Sequence, residues 1–108
     1  NMRAFQTIEY ANGSEALKDI DFLIWYLKKG DVIQLKNDDG TLWHSMVICN
    51  DNINCDTCHK GVSGSCNNYG KKELLYAQNT DDFNNGHLRK LLNGREDKIV
   101  FTKIKKDV

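Results

Sequence analysis

Two stretches of strand-favouring residues, separated by a polar turn, predict a β-hairpin in the first half of the chain. Residues Asp31–Leu35 and Trp43–Asn50 are rich in apolar side chains that suit a sheet. The polar segment Asn37–Gly40 lies between them, and its Asp-Gly pair beside apolar residues is a strong hairpin signal. The pattern therefore predicts a rigid ladder that holds His44 at the start of its second strand.

The remaining pattern predicts helical regions on both sides of the hairpin and two further strands. Ser14 is expected to cap a helix through Ile20, and a dense apolar run follows until Gly30, which is a typical helix stop. The later elements are strands at Glu73–Gln78 and Lys98–Lys105 and a short helix, capped by Asp82 or Asn85, that contains Leu88, Leu91 and Leu92. The sum is an α+β fold: a small antiparallel sheet with few helices.

Composition limits the class of protein more than it identifies it. The 108 residues suggest one small domain, and 15 basic and 15 acidic side chains give a formal net charge of zero. No basic groove for nucleic acid and no apolar run of membrane-spanning length is indicated. Lys103, Lys105 and Lys106 are interpreted as a solvated tail end. Asn1 before Met2 is typical of a cleaved tag or of the edge of an excised piece; in the latter case the natural chain extends upstream.

Residues 49–70 form a predicted cysteine-rich loop, poor in aliphatic side chains and rich in Asn, Gly and Ser. One interpretation is a structural zinc site, in which Cys55, Cys58 and Cys66 are joined by either Cys49 or His59 as the fourth ligand. Disulfides in an exported protein are an equally good interpretation, because four cysteines allow three pairings. Both interpretations make the loop a stapled segment, and the sequence leaves them open.

Haem attachment is a third interpretation of the same loop, because Cys55–His59 matches the Cys-x-x-Cys-His signature. His87 could then supply a second axial ligand. Haem requires a large apolar pocket, however, and Val62 is the apolar side chain that the loop offers nearby. Haem is therefore disfavoured against zinc and disulfides. For His87 the preferred interpretation is a solvent-facing residue on a short helix.

His44 has two interpretations, one structural and one catalytic. A histidine on a strand commonly has its hydrogen bonds satisfied and does no chemistry. A rigidly held imidazole is also suited to act as a general base, because its ordinary pKa lies near neutrality. Local sequence alone favours the structural interpretation.

Three segments carry a family likeness: Gly30–Leu35 (GDVIQL), Asn37–Gly40 (NDDG) and Trp43–Ile48 (WHSMVI). Together they resemble the amidase domains of Gram-positive bacteria, which belong to the papain-like cysteine hydrolases. Tyr76–Asp82 resembles the next element of that family, a strand that ends in a polar residue followed by Thr and Asp. The same Gly-Asp…His order occurs more distantly in the CHAP and NlpC-type cell-wall hydrolases. The likeness covers about residues 22–50 and 73–92, and the cysteine-rich loop between them looks like an insertion.

The resemblance implies a cysteine hydrolase that cleaves amide bonds in peptide or peptidoglycan-like material at the bacterial cell wall. In such enzymes a cysteine attacks the carbonyl, a histidine takes its proton and a polar residue orients the imidazole. His44 matches the base, Asn79 is the best match for the orienting residue and Gln78 the next. Family habit also favours a secreted or cell-surface location; the oligomeric state is left open.

The nucleophile of the family pattern is missing from this sequence. It should lie on a helix before the Gly-Asp strand, but no cysteine precedes Cys49. Ser45 adjoins His44, yet neighbouring strand residues point to opposite faces, and the same argument applies to Cys49, five residues from the base. The chain is therefore interpreted as a single degenerate domain or as the C-terminal part of a papain-like amidase.

A non-catalytic binding module, stapled by zinc or disulfides in the cysteine-rich loop, is the alternative function. Trp25, Trp43 and Tyr76 would supply an aromatic surface for it. Aromatic side chains at such positions are more often part of the core, which is the expectation adopted for all three.

Overall fold

The structure is a computed structural model that describes residues 3–54, 71–78 and 86–106. These residues form six strands and three helices, and none of the three helices is long and apolar enough to cross a membrane. In chain order the elements are β1 (Arg3–Tyr10), α1 (Gly13–Lys18), α2 (Ile20–Tyr26), β2 (Val32–Lys36), β3 (Leu42–Asn54), β4 (Lys72–Ala77), β5 (Gly86–His87), α3 (Leu88–Leu92) and β6 (Lys98–Lys106).

The strands form one sheet in the order β1-β6-β2-β3-β4-β5, and every neighbouring pair is antiparallel. The prediction of an α+β fold with a small antiparallel sheet and few helices is therefore confirmed for the described residues. The order places the β2–β3 hairpin at the centre of the sheet, with β4 beside it. Residues near the start of β3 and the end of β4 can consequently meet across one ladder.

The hydrophobic core lies between one face of the sheet and the three helices. Each helix contributes fully or almost fully buried side chains to it. Burying one such apolar side chain is worth roughly 1.5–3 kcal/mol, so this layer supplies the main driving force for folding. The core includes Ala16, Leu23 and Leu27 of the first helical region, Leu88 and Leu92 of α3, and Ile33, Leu35, Met46, Ile48, Leu74, Ile99 and Phe101 of the sheet.

The first helical region consists of two short helices that meet at Asp19. The predicted Ser14 cap is wrong: the side-chain oxygen of Asn12 accepts the hydrogen bond from the Glu15 N–H, at 2.9 Å, and so caps α1. At the junction the Tyr10 hydroxyl donates to Asp19 Oδ2, also at 2.9 Å. Burial, with a smaller effect from this bond, raises the pKa of Tyr10 to about 12. The bond therefore links β1 to the helical layer.

The helices α1 and α3 approach each other most closely at Gly13. Its N–H donates to the Arg95 carbonyl oxygen at 2.8 Å. A β-carbon at this position would lie 1.8 Å from the Leu92 carbonyl oxygen, which is far inside van der Waals contact. Glycine is thus required here by the closeness of two backbones rather than by an unusual backbone angle.

A buried carboxylate joins the start of β2 to β6. The Asp31 side chain is 3% exposed and accepts hydrogen bonds from the N–H groups of Lys28 and Ile104 and from Lys103 Nζ, at 2.8, 3.1 and 3.2 Å. Its own carbonyl oxygen accepts from the Ile48 N–H of β3. The Asp31 side chain therefore orders the entry to β2. The interpretation of Lys103 as a solvated tail residue is wrong, because its ammonium group is the partner of this carboxylate.

The predicted hairpin is present, with a tight turn at Asn37–Gly40. The Asn37 N–H donates to the Thr41 carbonyl oxygen at 2.8 Å, and Gly40 adopts a φ of 89°, which glycine tolerates at little cost. The Thr41 N–H donates to Asp39 Oδ1 and lowers the pKa of that carboxyl. Local turn chemistry therefore determines this part of the fold, as the sequence indicated.

Two parts of the sheet differ from the sequence prediction. β1 was not predicted, and it pairs with β6 along its whole length. β3 continues to Asn54, so the first part of the predicted cysteine-rich loop is strand. Residues 55–70 lie outside the described residues, as do Asp82 and Asn85, the predicted caps of the short helix. That helix begins at Leu88, with His87 at its cap position.

Candidate functional site

His44 lies on β3, on the face of the sheet that the helices cover. Met46 and Ile48 follow it at alternate positions and are 1% and 0% exposed, whereas Ser45 and Val47 between them are exposed. His44 itself is partly buried. The imidazole is therefore held at the rim of the core, where it is fixed by the ladder and still reached by solvent.

A β-bulge next to His44 changes the direction of the Trp43 side chain. Leu35 pairs with His44, but the next residue of β2, Lys36, pairs with Leu42, so Trp43 is an extra residue on β3. The bulge breaks the strict alternation of side chains, and the Trp43 and His44 rings stack with centroids 5.4 Å apart and an interplanar angle of 25°. Bulges often re-aim side chains beside functional sites.

Gln78 meets His44 across the β3–β4 ladder. Val47 pairs with Ala77, so the next residue of the chain, Gln78, falls on the face of His44. Gln78 Oε1 contacts His44 Nε2 in a hydrogen bond. An amide oxygen accepts a hydrogen bond and cannot donate one, so the tautomer that suits this contact has the hydrogen on Nε2 and the lone pair on Nδ1. The contact orients the imidazole ring.

The other residues considered for catalysis do not join this pair. Ser45 Oγ accepts a hydrogen bond from Gln34 Nε2, at 3.3 Å, on the opposite face of the sheet. Cys49 lies five residues along the same strand, which corresponds to about 16 Å and is beyond the reach of the imidazole. Asn79, the first choice for the orienting residue, lies outside the described residues. The structure thus brings together His44 and Gln78, the second choice.

The predicted zinc ligands lie mostly outside the described residues. This applies to Cys55, Cys58 and Cys66 and to the alternative ligand His59. Cys49 is described, and it is the extra residue of a second bulge, because Ile48 and Asn50 pair with adjacent residues of β4. Within the described part of the chain, no group of three or more His, Cys, Asp and Glu side chains could hold a metal ion. Zinc, disulfides and haem in the cysteine-rich loop stay predictions.

Two tryptophans expected in the core are instead on the surface. Trp25 is 70% exposed and Trp43 is 50% exposed, whereas Tyr76 is 8% exposed and belongs to the core. The Trp25 ring lies on α2 beside Phe22, which is itself 44% exposed, with centroids 6.1 Å apart. The expectation is wrong for Trp25 because α2 turns one side toward the sheet and this ring lies on its other side. It is wrong for Trp43 because this residue is the extra residue of the bulge in β3.

Sequence reasoning missed a second buried carboxylate, on β4. Glu73 is 0% exposed and accepts hydrogen bonds from the N–H groups of Leu74, at 2.9 Å, and Arg89, at 3.4 Å. Its Oε2 lies 3.7 Å from His87 Nδ1. Burial is the largest effect and raises the pKa of Glu73, against the lowering effects of the two N–H donors, Arg89 and His87.

His87 differs from its sequence interpretation as well. Its side chain is 22% exposed and faces the buried carboxylate, so it is not a solvent-facing residue. The position of Glu73 next to the first turn of α3 explains why a carboxylate is tolerated here: it accepts from an N–H group at that helix start. No pattern in the sequence signals this contact, because it joins β4 to an element that follows a long connection.

A scan against protein-family models, a search of curated proteins and a search of solved structures each find no match for this chain. The likeness to papain-like amidases therefore depends on the motif residues of the hairpin and of Tyr76–Asp82.

Proposed function

We propose that this chain is the base-bearing, C-terminal part of a papain-like amidase that acts on amide bonds of peptides or peptidoglycan at the bacterial cell wall. His44 is the general base. Gln78 orients it, and Asn79 stays the alternative for that role. The observation that carries the proposal is the hydrogen bond between His44 Nε2 on β3 and Oε1 of Gln78, the residue that follows β4.

The geometry of this pair suits proton transfer from a nucleophile. Gln78 holds the proton on Nε2, so the lone pair of Nδ1 is available to accept a proton from a thiol. The positive charge that then develops on the imidazole is stabilised by the amide oxygen of Gln78. The Trp43 ring stacks on the imidazole of His44 and restricts its movement. A fixed tautomer and a fixed ring plane are the two properties that a general base requires of its surroundings.

The thiol itself comes from outside these 108 residues in this proposal. No cysteine precedes Cys49 in the sequence, and Cys49 is about 16 Å along the strand from the base. In this proposal the cysteine-rich loop is stapled by zinc or disulfides. A secreted or cell-surface location goes with the cell-wall substrate.

The direct test joins the chain to the sequence that precedes Met2 in its gene and measures release of amino groups from purified peptidoglycan. His44→Ala should lower kcat/KM by about 10²- to 10⁴-fold, the usual contribution of a general base. Gln78→Ala should lower it less, by about tenfold, because it removes orientation and not the base. Ser45→Ala, on the opposite face next to the base, is the matched control and should leave activity unchanged. Full activity of His44→Ala would refute the proposal.

The pair can also be tested in this chain alone. Nitrogen-15 shifts of the His44 ring should show the tautomer protonated at Nε2, and Gln78→Leu should produce a mixture of both tautomers. A tautomer protonated at Nδ1 in the unaltered chain would contradict the assigned roles.

The non-catalytic binding module has one observation in its favour, the exposed rings of Phe22 and Trp25 on α2. Exposed aromatic side chains in contact with each other are typical of recognition surfaces. Binding of peptidoglycan fragments that Trp25→Ala abolishes and His44→Ala leaves unchanged would favour this function over the amidase.

A further inference from the structure

A cavity of about 610 Å³ lies where β4 and β5 meet α3 and the turn that follows it. Its volume is within the range of pockets that bind small molecules and short peptides, roughly 300–1,000 Å³. Five of its lining side chains are of types that can donate hydrogen bonds: Tyr76, His87, Lys90, Asn93 and Arg95.

The charges around the cavity favour an anionic ligand. Lys90 and Arg95 are cationic. Glu96 is the one carboxylate among the described lining residues. Lys90 is exposed on α3, so its ammonium group can move toward a ligand. The lining therefore carries two cationic groups and one acidic group, and a second acidic group, Asp97, pairs with Arg95.

Arg95 is held in place before any ligand arrives. Its Nε donates to the Leu91 carbonyl oxygen at 3.0 Å, and its Nη1 pairs with Asp97 Oδ2 at 3.1 Å. These two contacts leave the Nη2 donors for a ligand. A guanidinium that is already ordered loses little conformational entropy when it binds a carboxylate. Its charge reaches the Tyr76 phenol, where it opposes the rise in pKa that burial causes.

The cavity lies beside the candidate catalytic pair. Tyr76 lines it, and Gln78 is two residues further along the same chain, about 6.6 Å away on the same face. A peptide whose amide bond lies at His44 could therefore place a neighbouring group in the cavity. This proximity connects the cavity to the substrate rather than to an unrelated ligand.

We infer that the cavity binds a carboxylate group of the peptide substrate, next to the amide bond that is cleaved. The inference depends on the proposed amidase function for the identity of its ligand as substrate. Arg95 and Lys90 bind the carboxylate as ion pairs. The substrate class is thus narrowed to peptides with a free carboxylate, from an acidic side chain or a chain end.

Calorimetric titration of the chain with acetyl-trialanine and with its C-terminal carboxamide tests the inference. The two probes differ in one charge. The acid should bind about tenfold more tightly than the carboxamide, and the difference should shrink at high salt. Equal affinity for both probes, or binding of neither at millimolar concentration, would overturn the inference.

Three variants locate the binding in this cavity. Lys90→Gln should weaken binding of the acid about threefold to tenfold, and Glu96→Gln should strengthen it, because it removes the opposing charge. Lys29→Gln, the same charge change on an exposed residue of the α2–β2 connection, is the control and should have no effect. Arg95→Lys keeps the charge and loses the planar fork, so it separates ion pairing from a folding defect. Equal weakening by Lys90→Gln and Lys29→Gln would contradict the assignment to the cavity.

The titration separates this inference from the proposed function. Binding requires no nucleophile, so a preference for the acid without any hydrolysis would uphold the carboxylate site and leave the amidase proposal unsupported. Hydrolysis of peptidoglycan without a preference for the acid would support the amidase proposal and refute the carboxylate site.

Discussion

The two buried carboxylates of this domain are stabilised in different ways. Asp31, at the start of β2, has the ammonium group of Lys103 as well as two backbone N–H donors. Glu73, on β4, has backbone N–H donors and a histidine 3.7 Å away. Burial raises the pKa of Glu73, since its surroundings compensate only part of the lost hydration. Equal burial therefore does not imply an equal contribution to stability.

Loss of the Asp31 charge should have the largest effect. Asp31→Asn keeps the shape of the side chain but leaves Lys103 without its counter-ion and turns amide hydrogens toward other donors. We expect the free energy of unfolding, measured in urea, to fall by about 3 kcal/mol. Asp51→Asn is the matched control, because Asp51 accepts one hydrogen bond, from the Lys29 N–H. It should cost less than about 1 kcal/mol. Similar losses of the free energy of unfolding in both variants would show that Asp31 stabilises the fold no more than Asp51 does.

Removing the ammonium group of Lys103 should leave the Asp31 carboxylate without an ammonium partner, as the Glu73 carboxylate is. Lys103→Met leaves the Asp31 carboxylate with backbone donors alone and removes an ammonium group 5.1 Å from the centre of the Tyr26 ring. We expect a loss of about 2 kcal/mol in the free energy of unfolding at neutral pH. A change below about 0.5 kcal/mol would show that the backbone donors are sufficient for Asp31.

Glu73→Gln tests the other side of the comparison through its pH dependence. The folded state holds the Glu73 proton to higher pH than the unfolded state, whose value is close to the ordinary 4.5. The contribution of the neutral form is therefore complete below pH 4.5 and is lost as the pH rises through the folded-state pKa. Relative to wild type, Glu73→Gln should gain stability between pH 4.5 and 7, by less than the two preceding effects. Parallel stability curves for the two proteins would contradict this prediction.

The smallest effect is expected for His87. His87→Gln removes the weakest of the influences that lower the pKa of Glu73, so that pKa should rise slightly further. Carbon-13 titration of the Glu73 carboxyl measures it directly. A fall in the Glu73 pKa would mean that His87 disfavours the carboxylate.

The local parts of this fold can be predicted from the sequence more reliably than the long-range parts. The turn at Asn37–Gly40 was predictable because its residues require that geometry by themselves. The strand Arg3–Tyr10 was not, because its partner β6 lies almost a whole chain length away. The Ser14 prediction failed for a smaller reason, since Asn12 is an equally good cap two residues earlier.

The candidate site shows the same division. His44 was identified from the motif and its strand. Its contact with Gln78 depends on the β3–β4 register, and the stacking of Trp43 depends on a bulge; neither follows from one strand alone. The buried Glu73 and the cationic cavity were not anticipated, because they form where β4 meets elements that come later in the chain.

The pairing of β1 with β6 has a practical consequence for joining this domain to other segments. Arg3 lies directly opposite Lys106 in the register, so the backbone enters and leaves within about 5 Å. A short linker could therefore connect these two ends, and new ends could be opened at the exposed Asn37–Gly40 turn. A circular permutant of this kind would present His44 close to its own first residues, within reach of any segment fused there.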